Sequence, residues 1–321
     1  MEITHESQIE HSSETIQTPT IILFGEVVID VFPEKNILGG APFNVARHLR
    51  AFGLNPILIT RTGNDLAREM LLNDMEKFHL DIRGIQCDTR HPTGRVIVQE
   101  EKNGHQFDIL ANQAYDHIHA GLARLVSLSA HPDMLYFGTL AQRTRPSRRA
   151  LNLLTHSLTI PKILDVNLRK PWIEANTLHR SLQQANILKI NDEELGVTAK
   201  LLHLGPGSDF DHAFSLMQRY PLQQVIVTCG KAGAWLLNQD GTECHVSSTN
   251  HDVKITDTVG AGDGFSAAFI LGLLARWPVP LSLSRANDFA SSICTIRGAI
   301  PQDDEFYRPF LEKWGIAREK K

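Results

Sequence analysis

Three glycines in five residues, Gly260, Gly262 and Gly264, enclose Asp263 in the run Asp257-Thr258-Val259-Gly260-Ala261-Gly262-Asp263-Gly264. An apolar stretch starting at Phe265 follows and reads as a helix. Glycines let backbone N–H groups converge on one point, and a helix N-terminus adds partial positive charge there. Such a turn is an anion cradle suited to the spread negative charge of a transferring phosphoryl group. A carboxylate at its lip, Asp263, can take the proton of an attacking hydroxyl. The competing reading is plainer: a simple loop, with Asp263 as the N-cap of the helix, a common use of Asp. Two other glycine-based sites are excluded. No G-x-x-x-x-G-K-[ST] occurs, and Gly260-x-Gly262 is followed by Phe265 where a dinucleotide fingerprint needs its third glycine.

A second glycine segment lies far upstream: Gly39-Gly40-Ala41-Pro42-Phe43-Asn44-Val45-Ala46, with Gly53 and Gly63 further on. Paired glycines admit a ligand close to the backbone, and Asn44 offers both donor and acceptor to sugar hydroxyls. A simple turn with Asn44 near a helix cap would use the same residues.

These two segments must be brought together by the elements around them. Runs 21–24, 56–60, 134–137, 162–166, 187–190 and 224–228 read as buried strands. Amphipathic stretches 44–52, 66–78 and 147–158 have helical spacing. Such alternation implies βαβ units and an α/β fold, a doubly wound, mostly parallel sheet flanked by helices. One region departs from it. Runs 95–101 and 105–110 read as a hairpin about Lys102-Asn103-Gly104, since Asn-Gly is the strongest short hairpin signal. A second strand pair is expected at 26–32, ahead of a turn at 33–36. Together these form a small projecting β-sheet, a lid whose strands are inserted near 26–38 and 94–112. One α/β domain is expected over 21–321, with 1–20 as a polar, disordered tail.

Composition narrows the function further. The chain has 321 residues, 42% hydrophobic and 21% charged, with formal net charge −4. No basic excess marks a nucleic-acid binder. The basic run Arg143, Arg145, Arg148, Arg149 reads as a solvated helix start. No apolar run of about 18 residues exists, so no membrane span is expected. The first twenty residues lack the organisation of a signal peptide, and four scattered cysteines suit reduced thiols, so the cytoplasm is the expected location. Fifteen histidines include no H-E-x-x-H, and His117 and His119 read as surface residues.

The two glycine segments together resemble the paired signatures of the ribokinase-like, or PfkB, family of carbohydrate kinases. The motif style is closest to fructokinases. Further matches are Phe24-Gly25-Glu26-Val27-Val28-Ile29-Asp30, Asp165-Val166-Asn167-Leu168-Arg169, Asn191-Asp192-Glu193-Glu194-Leu195 and Val227-Thr228-Cys229-Gly230-Lys231-Ala232-Gly233-Ala234. They run in family order through 21–301. The resemblance implies Asp263 as catalytic base and Gly260, Ala261 and Gly262 as anion hole. It implies Asn191 and Glu194 as organisers of Mg²⁺, partly through water, and Thr228, Gly230 and Asn287 as ATP-binding. It also implies Asp30, Gly40, Asn44 and Arg169 as sugar-binding. Gln113 adds donors and acceptors for a neutral sugar. ATP and Mg²⁺ are the implied cofactors, with room for a monovalent cation, and family members often pair through the lid sheet, which implies a homodimer.

Two departures stand out. The family's glycine-x-aspartate-x-x-glycine reads Gly63-Asn64-Asp65-Leu66-Ala67-Arg68, with arginine last. Many fructose- and keto-acid-type members carry a lid arginine where this chain has Ala111. The expected reaction is ATP-dependent phosphorylation of a ketohexose such as fructose. The alternatives are a 2-keto-3-deoxygluconate or nucleoside-type sugar kinase, or a non-catalytic sugar- or nucleotide-binding regulator. A nicotinamide oxidoreductase shares the fold class but fails the fingerprint.

Overall fold

A computed structural model describes residues 18–101, 104–247 and 254–316. The chain opens with β1 (Thr20–Phe24), β2 (Val28–Val31) and β3 (Asn36–Gly39), then α1 (Ala41–Ala51), β4 (Asn55–Gly63) and α2 (Leu66–Lys77). It continues through β5 (Ile85–Asp88), β6 (Gly94–Glu101), β7 (Gly104–Ile109), α3 (Ala120–Ala130), β8 (Met134–Phe137) and α4 (Arg145–Ser157). Next come β9 (Lys162–Asp165), α5 (Ala175–Gln184), β10 (Ile187–Asn191), α6 (Asp192–Leu201), α7 (Asp209–Arg219) and β11 (Gln224–Thr228). The last elements are β12 (Ala234–Asn238), β13 (Glu243–Val246), α8 (Ala261–Leu274), α9 (Val279–Ile293) and α10 (Arg308–Trp314).

Among the described residues, nine strands form one sheet in the order β13-β12-β11-β10-β9-β8-β1-β4-β5. The seven from β11 to β5 run parallel, and β12 and β13 add an antiparallel edge. Parallel strands are covered on both faces, which is why they read as near-continuous apolar runs. Two apolar layers result. One, around Phe43, Leu49, Phe269 and Phe289, packs α1, α8 and α9 on one face; the other, around Phe137, Leu151, Leu182 and Leu216, packs α4, α5 and α7 on the opposite face. The doubly wound α/β architecture is thus as the alternation implied.

The lid is a second sheet, β3-β2-β6-β7. The hairpin of β6 and β7 pairs Glu101 with Gly104, and the Asn-Gly turn that marked it lies largely outside the described residues. The expected strand pair at 26–32 is corrected: a single strand, β2, occupies it, and its antiparallel partner β3 lies beyond the turn. The expected tail is also shortened at its end, because Thr20 already belongs to β1. Its amide donates to Asp133 Oδ2 at 2.8 Å and it pairs in register with Asn55. The remainder of that tail, residues 1–17, falls outside the described residues.

Two arginines serve the fold in ways their sequence context did not announce. Arg68, at the family's glycine position, donates to Thr62 Oγ1 at 2.7 Å and to the Gln86 carbonyl at 3.1 Å, tying β4 to β5. The departure therefore places a side chain that bridges two neighbouring strands. Arg143 is not part of a solvated helix start. Its side chain is 3% exposed and grips the fully buried Asp116 at 2.7 and 2.8 Å while donating to the Leu110 carbonyl. The guanidinium lies 4.3 Å from the Trp172 ring and 4.9 Å from the Tyr115 ring, a stacked and hydrogen-bonded setting that holds it out of water.

Breaking a buried ion pair from one side strands the other charge. Arg143→Met is therefore expected to cost roughly 3–5 kcal/mol in urea unfolding, while Arg143→Met with Asp116→Asn recovers most of the loss. Equal destabilisation in the single and double variants would show that packing, not charge, sets the value of this contact.

Candidate active site

Helix α8 is apolar nearly all round, and residues 264–272 are buried. Its first turn is where the chemistry collects. Gly260 precedes the helix at φ 80°, in the left-handed region, and a Cβ there would lie 2.4 Å from the Ala299 Cα. Glycine is required at this position on both counts. The turn leaves the early N–H groups of α8 without helical partners, which is what an anion cradle consists of.

Gly260, not Asp263, is the N-cap residue, and Asp263 is the third residue of the helix. No side chain caps this end. The plainer reading of Asp263 as a cap is thereby removed. Its Oδ2 instead accepts from Asn44 Nδ2 at 2.7 Å. Burial raises the Asp263 pKa, the Asn44 bond lowers it, Asp165 raises it, and Lys189 and Arg169 lower it; it comes to rest at about 6. A base poised near there is ionised at neutral pH and can still take a proton.

Asn44 lies in the first turn of α1, whose N-cap is Gly40 at φ 106°. A Cβ on Gly40 would stand 2.6 Å from the Glu26 carbonyl oxygen, so the chain passes itself too closely for any side chain. Asn44 is buried and its Oδ1 has no partner, which leaves an acceptor for a ligand hydroxyl. Asp30, on the lid strand β2, places Oδ2 3.2 Å from where a Gly39 Cβ would be, against the same glycine pair. Burial raises its pKa to about 6, against a lowering by Arg169. Arg169 is exposed on the loop after β9, and its charge acts on Glu26, Asp30 and Asp263 together. Asp30, Asn44, Gly40, Arg169 and Asp263 therefore share one site between lid and sheet.

The residues expected on the nucleotide side are arranged along the adjacent strand ends. Asn191 ends β10 and Thr228 ends β11, directly paired in register. Gly230 follows at φ 51° and begins a short 3₁₀ turn. Asn191 and Glu194 form a capping box on α6: Asn191 Oδ1 accepts from the Glu194 amide at 2.7 Å, and Glu194 Oε2 accepts from the Asn191 amide at 3.1 Å. The other Glu194 oxygen accepts from the Leu168 amide at 2.7 Å, which pins the loop carrying Arg169. Glu194 keeps acceptor capacity on both oxygens.

Two expected residues stand apart. Gln113 is buried, with its amide nitrogen spent on the Ala111 carbonyl at 2.7 Å and its Oε1 unpartnered, and it makes no hydrogen bond to Asp30, Asn44 or Asp263. Asn287 is buried within α9 and makes none to Thr228 or Gly230.

The structure also adds residues that motif reasoning gave no role. Glu26 is buried with Oε2 unpartnered, and burial raises its pKa to about 7. Asp165 and Lys189 form a buried ion pair at 3.0 Å beneath the first turn of α8. An aspartate ending one apolar strand and a lysine inside the next were the available signals, since neither charge is left unpaired in a core.

Residues 13–305 match the pfkB family carbohydrate kinase model. A probable fructokinase of Arabidopsis thaliana is 27% identical over 312 residues, covering 88% of this chain and 94% of that protein. A fructokinase of Salmonella typhimurium is 26% identical over 271 residues, covering 79% of this chain and 84% of that one. Among solved structures, a sugar kinase of Pyrococcus horikoshii in complex with ATP superposes with TM-score 0.74 at 26% identity, over 90% of this chain and 97% of that one. With the family signature spanning most of its length, the chain belongs to the PfkB carbohydrate kinases and is a phosphotransferase that acts on a sugar.

Proposed function

We propose that this enzyme transfers the γ-phosphoryl group of ATP to a hydroxyl of a neutral ketohexose, with fructose as the favoured acceptor. The observation that carries this reading is Asp263, hydrogen-bonded by Asn44 and seated in the first turn of α8 beside the amide cradle. The acceptor hydroxyl gives its proton to the Asp263 carboxylate as its oxygen bonds to the γ-phosphorus. The bond from that phosphorus to the bridging oxygen breaks, and ADP leaves with the electron pair. Gly260, Ala261 and Gly262 neutralise the equatorial oxygens meanwhile.

Mg²⁺ suits this site as a hydrated ion carried on the nucleotide. No group of three or more His, Cys, Asp or Glu side chains among the described residues forms a metal cage, and Mg²⁺ is commonly held by one or two carboxylates plus phosphates. Glu194, with acceptor capacity left, and Asn191 would anchor it through water, and the ion would offset charge on the phosphates. Thr228 and Gly230 contact the nucleotide phosphates in this reading, and Asn287 lines the adenine pocket.

Charge at the sugar end supports a neutral acceptor. Ala111 leaves the family's lid-arginine position without a cation, and the nearby Arg143 is already committed to Asp116. Glu26, Asp30 and Asp263 contribute three carboxyl groups around the site. A sugar acid would meet these with Arg169 as its facing cation. The exposed Arg169 is the observation that favours the second reading, a 2-keto-3-deoxygluconate kinase. The fructokinase names of relatives near one-quarter identity favour the first. Two copies pair through the lid sheet in this reading, with the half-exposed Phe107 of β7 as apolar surface.

Three sets of measurements test it. Asp263→Asn is expected to lower kcat roughly 100- to 10,000-fold, the range of a lost general base. In the parent, activity should fall as pH drops through about 6, where the carboxylate is protonated. The folded pKa lies above the ordinary value of 3.8, so the ionised group opposes folding at neutral pH. The asparagine variant should therefore melt at pH 7 no lower than the parent. Near-parental turnover would leave Asp263 without a chemical role.

Second, ADP release in a side-by-side sugar panel should give fructose a kcat/KM at least about tenfold above 2-keto-3-deoxygluconate. An unmatched buried carboxylate loses ~1–3 kcal/mol, at ~1.4 kcal/mol per decade. The reverse order would move the assignment to a sugar-acid kinase. Third, amide exchange in β6 and β7 should slow when fructose and a non-hydrolysable ATP analogue are added together, as the lid closes and excludes water. Unchanged exchange would argue against closure.

A further inference from the structure

Lys189 is the one charged residue of β10, a strand otherwise composed of Ile187, Leu188, Ile190 and Asn191. It is 7% exposed. Its register partner on β9 is Asp165, 1% exposed, and Nζ donates to both carboxylate oxygens at 3.0 and 3.1 Å. Asp165 Oδ2 also accepts from the Tyr136 hydroxyl of β8 at 3.1 Å and from Ser266 Oγ of α8 at 2.9 Å. The carboxylate is fully engaged, and through Ser266 it is tied to the helix that carries Asp263. On its other side, Lys189 Nζ lies 3.0 Å from where a Cβ on Gly262 would be. The ammonium thus sits directly behind the cradle, with bare glycine between it and the space in front.

Stability alone is a poor account of this arrangement. Apolar residues of similar volume commonly replace a buried ion pair at no cost or with a gain, because two desolvated charges recover little net energy. The buried ammonium is matched by both Asp165 oxygens, at 3.0 and 3.1 Å, so the charge is held in place without water. The residue is a lysine ammonium held 3.0 Å from where a Cβ on Gly262 would be, directly under the turn that carries Asp263. Its value is highest when the opposite charge arrives from outside, in a site from which water is excluded.

We propose that Lys189 is a positioning residue for phosphoryl transfer, its ammonium fixed by Asp165 so that a positive charge stands behind Gly260, Ala261 and Gly262 and draws the transferring phosphoryl group into the cradle. This rests on the reading of that turn as the phosphoryl site and of Asp263 as the base. The same charge favours the ionised form of Asp263. The groups that face Asp263 are Asn44 from α1, Glu26 after β1, Tyr136 from β8, Asp165 from β9, Arg169 from the following loop and Lys189 from β10. Of these, Lys189 and Arg169 are the two cations, and Lys189 is the one sealed from solvent screening.

The test uses Lys189→Met and the charge-neutral pair Lys189→Met with Asp165→Asn, each read in two ways. Steady-state kinetics should show kcat lowered roughly tenfold to a hundredfold in both, on the scale of one lost electrostatic contact, with the sugar KM little changed. ¹³C NMR of aspartate-labelled protein, with Asp263→Asn to assign the signal, follows the Asp263 titration without any turnover. Its midpoint should rise by about 1 pH unit in Lys189→Met, since removing a near opposite charge disfavours the carboxylate. If the single variant does not fold, kcat of the neutral pair decides. A folded variant of either kind with parental kcat, or an unmoved Asp263 midpoint in Lys189→Met, overturns the proposal. Parental turnover in Asp263→Asn would instead overturn the base assignment on which it rests, and the NMR midpoint separates the two failures.

Discussion

The hydrogen bond from Asn44 to Asp263 joins two helix N-termini 219 residues apart in sequence, and the site depends on that junction. Each terminus is admitted by a glycine in a conformation that side chains avoid, Gly40 before α1 and Gly260 before α8. Each glycine is also pressed against backbone, the Glu26 carbonyl in one case and Ala299 in the other, so neither turn can relax outward. The apolar bodies of α1 and α8 share one core layer, with Phe43 and Leu49 on one helix and Phe265 and Phe269 on the other. Packing along the bodies of the two helices therefore sets the distance between the polar groups in their first turns. A single 2.7 Å bond reports that this has been achieved.

Around this junction the protein concentrates carboxyl groups. Glu26, Asp30 and Asp263 all have pKa values raised by burial, and Glu194 is raised by burial and by Asp165. A cluster of buried acids is expensive unless cations or neutral ligands answer it. The cations present are unequal. Arg143 is spent on Asp116, Arg169 is exposed, and Lys189 is buried behind the cradle. That distribution gives the group of residues a cation-backed end at α8 and an acceptor-rich end at the lid. A polyphosphate at the first and a polyol at the second is the division of labour that the proposed reaction requires.

Much of this was legible in the sequence for a local reason. A glycine-rich turn, an Asn-Gly hairpin and the spacing of apolar residues are short-range patterns, and each dictates backbone geometry where it occurs. The parallel sheet, the lid hairpin and the cradle with Asp263 could be placed from them. The capping box of Asn191 and Glu194 is likewise written in four consecutive residues. Even so, the sequence left two readings of Asp263 open, cap or base. Gly260 occupying the cap position removes the first, and Asn44 arriving from another helix is what supports the second.

What tertiary structure alone decided are the contacts made by register and by crossing elements. Asp165 and Lys189 meet because β9 and β10 are parallel neighbours in one particular alignment, and a slip of one residue would turn the lysine to the opposite face. Arg143 reads as part of a basic surface run, yet the fold brings it over Tyr115, Trp172 and Asp116 and withdraws it from water. Glu26 sits within a family motif, and the sequence carries no mark of its burial or of its unpartnered oxygen. Charge in a sequence is a property of the residue, but its chemical consequence depends on solvent exposure and on the nearest opposite charge. Both of those are set by residues tens to hundreds of positions away, and only the folded chain brings them into range.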